Sequence, residues 1–236
     1  MAVMNKYQKF RFSFPFYRMD VNGFMKLIND ARRILTPDTL IPLYEIKYVT
    51  LASMQEAFKA NAMWSEELKD DQTKLVKLLN ATCKYQFDPD NGEIVAPEYT
   101  CYDIRAIRAW AVLFCDGDPK EKVPELYDML QDNNQPSISA TDKDFNVTMT
   151  MLFDFAGYTI DRHYDIVSDE EAVRDEMTEE ELEAKAEKYD EKFEELLDEL
   201  YGYESKLDRS DWESGIVTKG KYLFDPAAIR EKIDWK

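Results

Sequence analysis

Apolar residues recur every three or four positions along much of the chain, which is the spacing of helices that bury one face. The first such run follows Asp20, a residue type favoured at helix N-caps, and stops before Pro37. Further runs predict helices over residues 43–64, 65–79, 98–115, 119–130 and 142–156. We therefore predict an all-α fold, with a helical domain over residues 20–157 and a linker over 158–167.

The segment before this domain, residues 1–19, has a different pattern. It is basic and contains no acidic residue, and its aromatic residues stand at alternate positions: Phe10, Phe12, Phe14 and Phe16. A period of two is typical of an extended segment. We therefore expect an extended N-terminal arm that lies on a partner or on its own domain. A mitochondrial targeting segment is the alternative, since such segments are also basic and free of acids.

Residues 168–207 are predicted to form helices of high negative charge. Residues 168–201 contain sixteen acids and four bases. Their charge of −12 is two-thirds of the net charge of −18. A heptad seam runs along the second helix through Leu182, Ala186, Tyr189, Phe193, Leu196, Leu200, Tyr203 and Leu207. The seam must be covered by the chain's own core, by a second copy or by a partner. Tyr and Phe are bulky for a two-stranded coiled coil, so we favour packing against a different surface.

The last segment, residues 208–236, lacks a strong pattern and is predicted to be an extended tail. A short helix opens at Asp225, where the following Pro226 suits a first helical turn. The large side chains of Trp212 and Trp235 need a surface to bury against. These two tryptophans are candidate partner-binding residues. The other candidates are the arm phenylalanines and five residues of the heptad seam: Phe10, Phe12, Phe14, Phe16, Leu182, Tyr189, Phe193, Leu196 and Leu200.

Composition excludes several function classes. The net charge of −18 argues against a nucleic-acid binder, which needs a basic surface. No apolar stretch approaches the roughly 20 residues of a membrane span. The three cysteines are scattered, and the single histidine, His163, has no nucleophile motif beside it. We therefore expect an intracellular protein that is not an enzyme and holds no cofactor.

Two loops between predicted helices, at 84–98 and 131–142, share one layout. Each has one isoleucine and an acid four residues later: Ile94 with Glu98, and Ile138 with Asp142. In this layout residues 65–157 resemble a degenerate pair from the EF-hand (calmodulin-like) superfamily. The resemblance implies a eukaryotic protein.

The ligands that the resemblance implies are mostly missing. Pro136 replaces the turn glycine of the second loop, and no carboxylate stands at its first ligand positions. A shifted calcium site in the first loop would use Asp88, Asp90, Glu93 and Glu98. We favour loops that are kept for helix packing without calcium.

These observations favour a structural or interaction protein, an accessory subunit of a larger eukaryotic assembly. Mitochondrial complexes and ciliary or cytoskeletal assemblies contain such subunits, and both locations stay open. The expected partners are protein subunits with basic surfaces. The alternative function is a calcium-responsive EF-hand sensor or regulatory subunit.

Overall fold

Ten α-helices and four three-residue strands form the described part of the chain, and helices account for 70 % of it. The computed structural model describes residues 10–11, 13–85, 100–130, 136–159, 161 and 178–234. Of Lys143, Asp144, Glu179, Glu181 and Leu182 it describes the backbone alone. The prediction of a mainly helical protein is confirmed.

The first half of the molecule, residues 10–115, contains five helices and two strands. In chain order they are α1 (Val21–Leu35), β1 (Tyr48–Thr50), α2 (Leu51–Phe58), α3 (Ala62–Glu67), α4 (Lys74–Thr82), β2 (Cys101–Asp103) and α5 (Ile104–Phe114). Side-chain caps start most of these helices; Asp20, for example, accepts a hydrogen bond from the Gly23 amide at 2.8 Å. The predicted α-helix does not begin at residue 43: Leu43–Glu45 form a 3₁₀ turn, Tyr48–Thr50 form β1, and the Thr50–Ser53 capping box starts α2 at Leu51.

The second half, residues 116–234, also contains five helices and two strands. They are α6 (Pro119–Leu130), β3 (Ser137–Ser139), α7 (Lys143–Asp154), α8 (Glu179–Tyr201), β4 (Lys206–Asp208), α9 (Arg209–Thr218) and α10 (Pro226–Lys232). A π-helical turn, Phe155–Thr159, extends α7. Asp225 caps α10 by accepting from the Ala227 amide at 2.9 Å, as its sequence predicts.

The strands pair within each half and give the two halves the same plan. β1 pairs antiparallel with β2, with Val49 opposite Tyr102. β3 pairs antiparallel with β4, with Ile138 opposite Leu207. Each strand lies between a preceding and a following helix, so the chain contains four helix–loop–strand–helix units in two pairs. β2 follows the predicted loop 84–98 and β3 lies within the predicted loop 131–142, and they pair with β1 and β4 and not with each other.

Helix α5 lies in the core, as predicted, and nine of its eleven residues are buried. The N-terminal segment packs beside it, with the Phe14 and Phe16 rings each 5.4 Å from the ring of Trp110. Phe10, Phe14 and Phe16 are all buried. The prediction of an extended arm is therefore wrong for Phe10–Arg18, while Phe12 and residues 1–9 lie outside the described residues.

The physical reason is a turn of helix. The Phe14 amide donates to the Phe10 carbonyl at 2.8 Å, which puts these two rings on one face. A 3₁₀ turn, Pro15–Arg18, then brings Phe16 inward. Phe10, Phe14 and Phe16 are therefore core residues, and the described part of the segment lies on its own domain.

The heptad seam of α8 also faces the chain's own core. Tyr189, Leu196 and Leu200 are buried and Phe193 is half-buried against the Phe145 ring at 5.3 Å. The helix ends at Tyr201, so Tyr203 is fully exposed in the following turn. These seam residues therefore do not form a partner surface, and of Leu182 only the backbone is described.

The tail is folded rather than extended. Trp212 on α9 is fully buried, with its ring 5.6 Å from that of Tyr127 on α6. Arg230 on α10 donates to the Gly157 carbonyl at 2.9 Å and so joins the tail to the π-helical turn. Trp212 is thus a core residue and not a partner contact, and Trp235 lies outside the described residues.

Candidate interaction surface

The outward side of α8 has a continuous row of carboxylates. Six exposed acids follow one another at spacings of three or four residues: Glu180, Glu183, Glu187, Asp190, Glu194 and Asp198. This spacing places them on one face of the helix, and we name them the acidic strip. Among the residues that the structure describes, no lysine or arginine lies within 4.0 Å of a strip carboxylate. The charge of the strip is therefore not neutralised by the described part of the chain.

The lysines of α8 lie on a separate flank of the helix. Lys185 forms an ion pair with Asp154 of α7 at 2.6 Å. Lys188 contacts Asp234 at 3.0 Å, and Lys192 contacts Glu195 at 2.6 Å. Hydrogen bonds from Lys192 to Glu195 and Glu191 raise the pKa of Lys192. The cations therefore face α7, the C-terminal segment and other acids of the flank, and leave the strip free of positive charge.

The inward side of α8 is fixed by two tyrosines. The Tyr189 hydroxyl donates to Asp154 Oδ1 at 3.1 Å, and the Tyr201 hydroxyl donates to the Ile138 carbonyl at 3.2 Å. Burial raises the pKa of both hydroxyls above the ordinary value of 10, so they stay protonated donors at neutral pH. The helix is consequently held against α7 and β3 with the strip facing outward.

Charge is distributed unequally between the halves. The described residues of the first half contain ten acids and thirteen bases, whereas those of the second half contain twenty-seven acids and twelve bases. The first half thus has a small positive charge and the second half a charge of −15. The acidic strip belongs to the half in which negative charge is concentrated.

A shallow depression lies beside α8, lined by Thr150, Asp154, Lys185, Ala186, Tyr189 and Asp190. Its Asp154 carboxylate already accepts from Lys185 and Tyr189. Asp154, Lys185 and Tyr189 are thus paired with one another and hold α8 against α7, while Asp190 belongs to the acidic strip.

The four residues of the shifted calcium site, Asp88, Asp90, Glu93 and Glu98, lie outside the described residues, as does His163. Within the described ranges, no group of three or more His, Cys, Asp or Glu side chains could hold a metal ion. The three cysteines are buried thiols, and burial raises the pKa of the Cys83 and Cys115 thiols. In the same ranges, no helix combines the length and apolar character that crossing a bilayer requires.

Sequence reasoning recognised the acidity of α8 but missed its division into two faces. The signal was present, because Lys185, Lys188 and Lys192 have helical spacing of their own. It also missed an exposed apolar loop after α1, with Leu40 88 % exposed. The cue there was an apolar stretch between Pro37 and Pro42 with no place in a predicted helix face.

Comparison with known proteins adds no assignment: no family model, no curated protein and no solved structure matches this chain. The functional argument therefore depends on the surface and the packing described above.

Proposed function

We propose that this protein is a non-enzymatic interaction protein, an accessory subunit of a larger assembly, and that its acidic strip binds a basic surface of another protein subunit. The observation that supports this is the strip itself. Six exposed carboxylates lie along a helix that is fixed to the core, and no described cation lies within 4.0 Å of them. A basic protein surface is the complement of such a row.

Electrostatics supports a role in binding over a role in folding. Like charges at a spacing of four residues, such as Glu183 and Glu187, destabilise a helix by about 0.2–0.5 kcal/mol per pair. Lysines placed among them would remove this cost, yet the lysines of α8 lie on the flank. Concentrated charge of one sign increases the rate of association with a partner of opposite charge.

The scaffold that presents the strip is, in this proposal, EF-hand-like packing without calcium. The four helix–loop–strand–helix units extend the resemblance from residues 65–157 to most of the chain. Placing Val49, the central residue of β1, at loop position 8 puts Pro42, Tyr44 and Ile46 at positions 1, 3 and 5. Calcium needs oxygen ligands there, and none of these side chains offers a carboxylate.

The same placement applies to the fourth loop. Leu207 at position 8 puts Leu200 and Gly202, without a carboxylate, at positions 1 and 3, while Glu204 stands at position 5 and Asp211 at position 12. Loops that lack most of the calcium ligands support a structural role over the calcium-sensor alternative. The location of the assembly, mitochondrial or ciliary, stays a prediction.

The experiment compares two triple variants of equal charge change. The strip variant combines Glu183→Gln, Glu187→Gln and Asp190→Asn. Wild type and variant are tagged in the native source, purified with their assembly, and the bound subunits are quantified by mass spectrometry. We expect the strip variant to lose a subunit with a basic surface, with an affinity at least about tenfold lower for the purified pair and a strong dependence on salt.

The matched control combines Glu56→Gln, Glu66→Gln and Asp71→Asn, three exposed acids of the first half. It changes the net charge equally, so the control should retain the subunit. Equal loss of the subunit from both variants would mean that net charge, and not the acidic strip, determines binding. Equal retention in both, or a wild-type chain that is monomeric in native extracts, would refute the proposal.

A further inference from the structure

A second surface with binding character lies on the first half. Three of the six exposed large apolar residues of the described chain stand within eleven positions: Ile34 at 44 %, Leu40 at 88 % and Tyr44 at 50 %. The other three, Val147, Tyr158 and Tyr203, belong to three separate segments of the second half. We name residues 36–43, between the end of α1 and the 3₁₀ turn Leu43–Glu45, the Leu40 loop.

The conformation of the Leu40 loop is fixed by hydrogen bonds. Arg33, on the last turn of α1, donates through Nη1 to the Ile41 carbonyl at 2.7 Å and to the Asp38 carbonyl at 3.1 Å. The Leu40 amide donates to Asp38 Oδ1 at 2.9 Å. Leu40 therefore stands at the tip of an ordered turn.

A second arginine holds the base of the loop. Arg32 is only 3 % exposed and donates through Nε to the Ile46 carbonyl at 3.1 Å and through Nη2 to the Leu43 carbonyl. Its burial lowers the pKa of the guanidinium to about 10. A buried arginine is costly unless it is hydrogen-bonded, and here it bonds to the backbone of the segment that follows Leu40. The loop is thus pre-organised, which is the property that reduces the entropy lost on binding.

The exposed charges of this segment are acidic: Asp30, Asp38 and Glu45. Its cations are less exposed, since Arg32 is buried and Arg33 and Lys47 are half-buried. Both arginines donate to backbone carbonyls of the segment. The loop therefore presents an exposed apolar tip, and the exposed charges nearest to it in the sequence are acidic.

From this exposure and charge we infer that Leu40, together with its sequence neighbours Ile34 and Tyr44, inserts into an apolar pocket of a partner protein whose rim contains lysine or arginine. The exposed leucine requires an apolar pocket, and the exposed acids favour a basic rim. The inference rests on the proposed function in that the chain binds another protein. It concerns a different half of the molecule from the acidic strip.

The first experiment identifies what Leu40 contacts. A photo-crosslinking variant, Leu40→p-benzoylphenylalanine, is expressed in the native source, with Lys59→p-benzoylphenylalanine as the exposed control. We expect position 40, and not position 59, to crosslink to one peptide of another protein that contains apolar residues and neighbouring lysine or arginine. A crosslink to residues 86–99 of the same chain, to a second copy or to lipid would overturn the inference, as would no crosslink above the control.

The second experiment measures affinity with that protein purified. Leu40→Asp should weaken binding at least about tenfold, as for a central contact residue, whereas Leu40→Met should change it less than about twofold. Because Leu40 is exposed, Leu40→Asp should leave the unfolding temperature unchanged. A large drop in that temperature, or equal binding of the two variants, would overturn the inference.

The strip variant serves as the discriminating control. If the strip variant retains every subunit while Leu40→Asp loses the crosslinked protein, the acidic-strip proposal fails and the Leu40 inference stands. If the strip variant loses a basic subunit while Leu40→Asp binds the crosslinked protein normally, the Leu40 inference fails and the acidic-strip proposal stands.

Discussion

The two halves of the molecule have one architecture and opposite surfaces. Each half contains two helix–loop–strand–helix units joined by a three-residue ladder. Among the described residues, the first half has a small positive charge and an ordered apolar loop, whereas the second half has a charge of −15 and the acidic strip. Inward-facing residues and helix caps determine the order and pairing of the helices and strands. The exposed residues, which the fold does not constrain, determine the character of the surface. The function must therefore be argued from the surfaces and not from the shared plan.

Removal of a core aromatic ring of the first half should have the largest effect on the stability of the protein. Phe14→Ala should lower the free energy of unfolding by about 3–5 kcal/mol, because a large buried side chain leaves a cavity. The Phe14 ring lies 4.9 Å from Phe16 and 5.2 Å from Phe114, deep in the aromatic core. Urea unfolding measures the change. A loss under about 1 kcal/mol would restore the prediction of an extended arm.

In the second half, substitutions on the inward face of α8 should cost much more stability than substitutions on its outward face. Leu196→Ala should cost about 2–5 kcal/mol, because Leu196 is buried in the seam. Glu194→Ala, two residues away on the strip, should change stability by less than about 0.5 kcal/mol. Thermal unfolding of both variants tests the difference. Similar small changes would mean that the seam of the isolated chain is not covered by its own core.

The smallest expected change in stability comes from removing one charge of the acidic strip. Glu187→Gln removes like-charge contacts within the strip and should stabilise the protein by about 0.2–0.5 kcal/mol at low salt. The gain should vanish in about 1 M salt, where charges are screened. Unfolding in urea at both ionic strengths measures it. Destabilisation at low salt would show that Glu187 has a structural partner.

Two helix starts were predictable because a side-chain cap depends on few neighbouring residues, whereas the starts predicted at residues 43 and 98 fall at Leu51 and Ile104. Asp20 and Asp225 cap their helices as the sequence indicates. The N-terminal phenylalanines were misread because residues at every second position also include residues four apart. Phe10 and Phe14 satisfy both patterns, and only the contact with α5 favours the helical one.

The fourth unit was hidden for a related reason. Leu200 and Leu207 are seven residues apart, so the heptad pattern continues across the point where α8 ends. Gly202, with φ of +56°, takes the left-handed conformation that ends the helix. That glycine was the available signal. The candidate surface could be foreseen only as an acidic segment, because exposure depends on which face of α8 packs against α7.

The two ladders also impose an order on synthesis of the chain. Val49 finds its partner, Tyr102, before half of the chain has been made, so the first half can complete its core early. Ile138 must wait for Leu207, sixty-nine residues later and close to the end of the sequence. Until then the apolar faces of α6 and α7 lack the α8 and α9 surfaces that bury them. We therefore expect the nascent second half to expose its apolar surface for longer than the first half does.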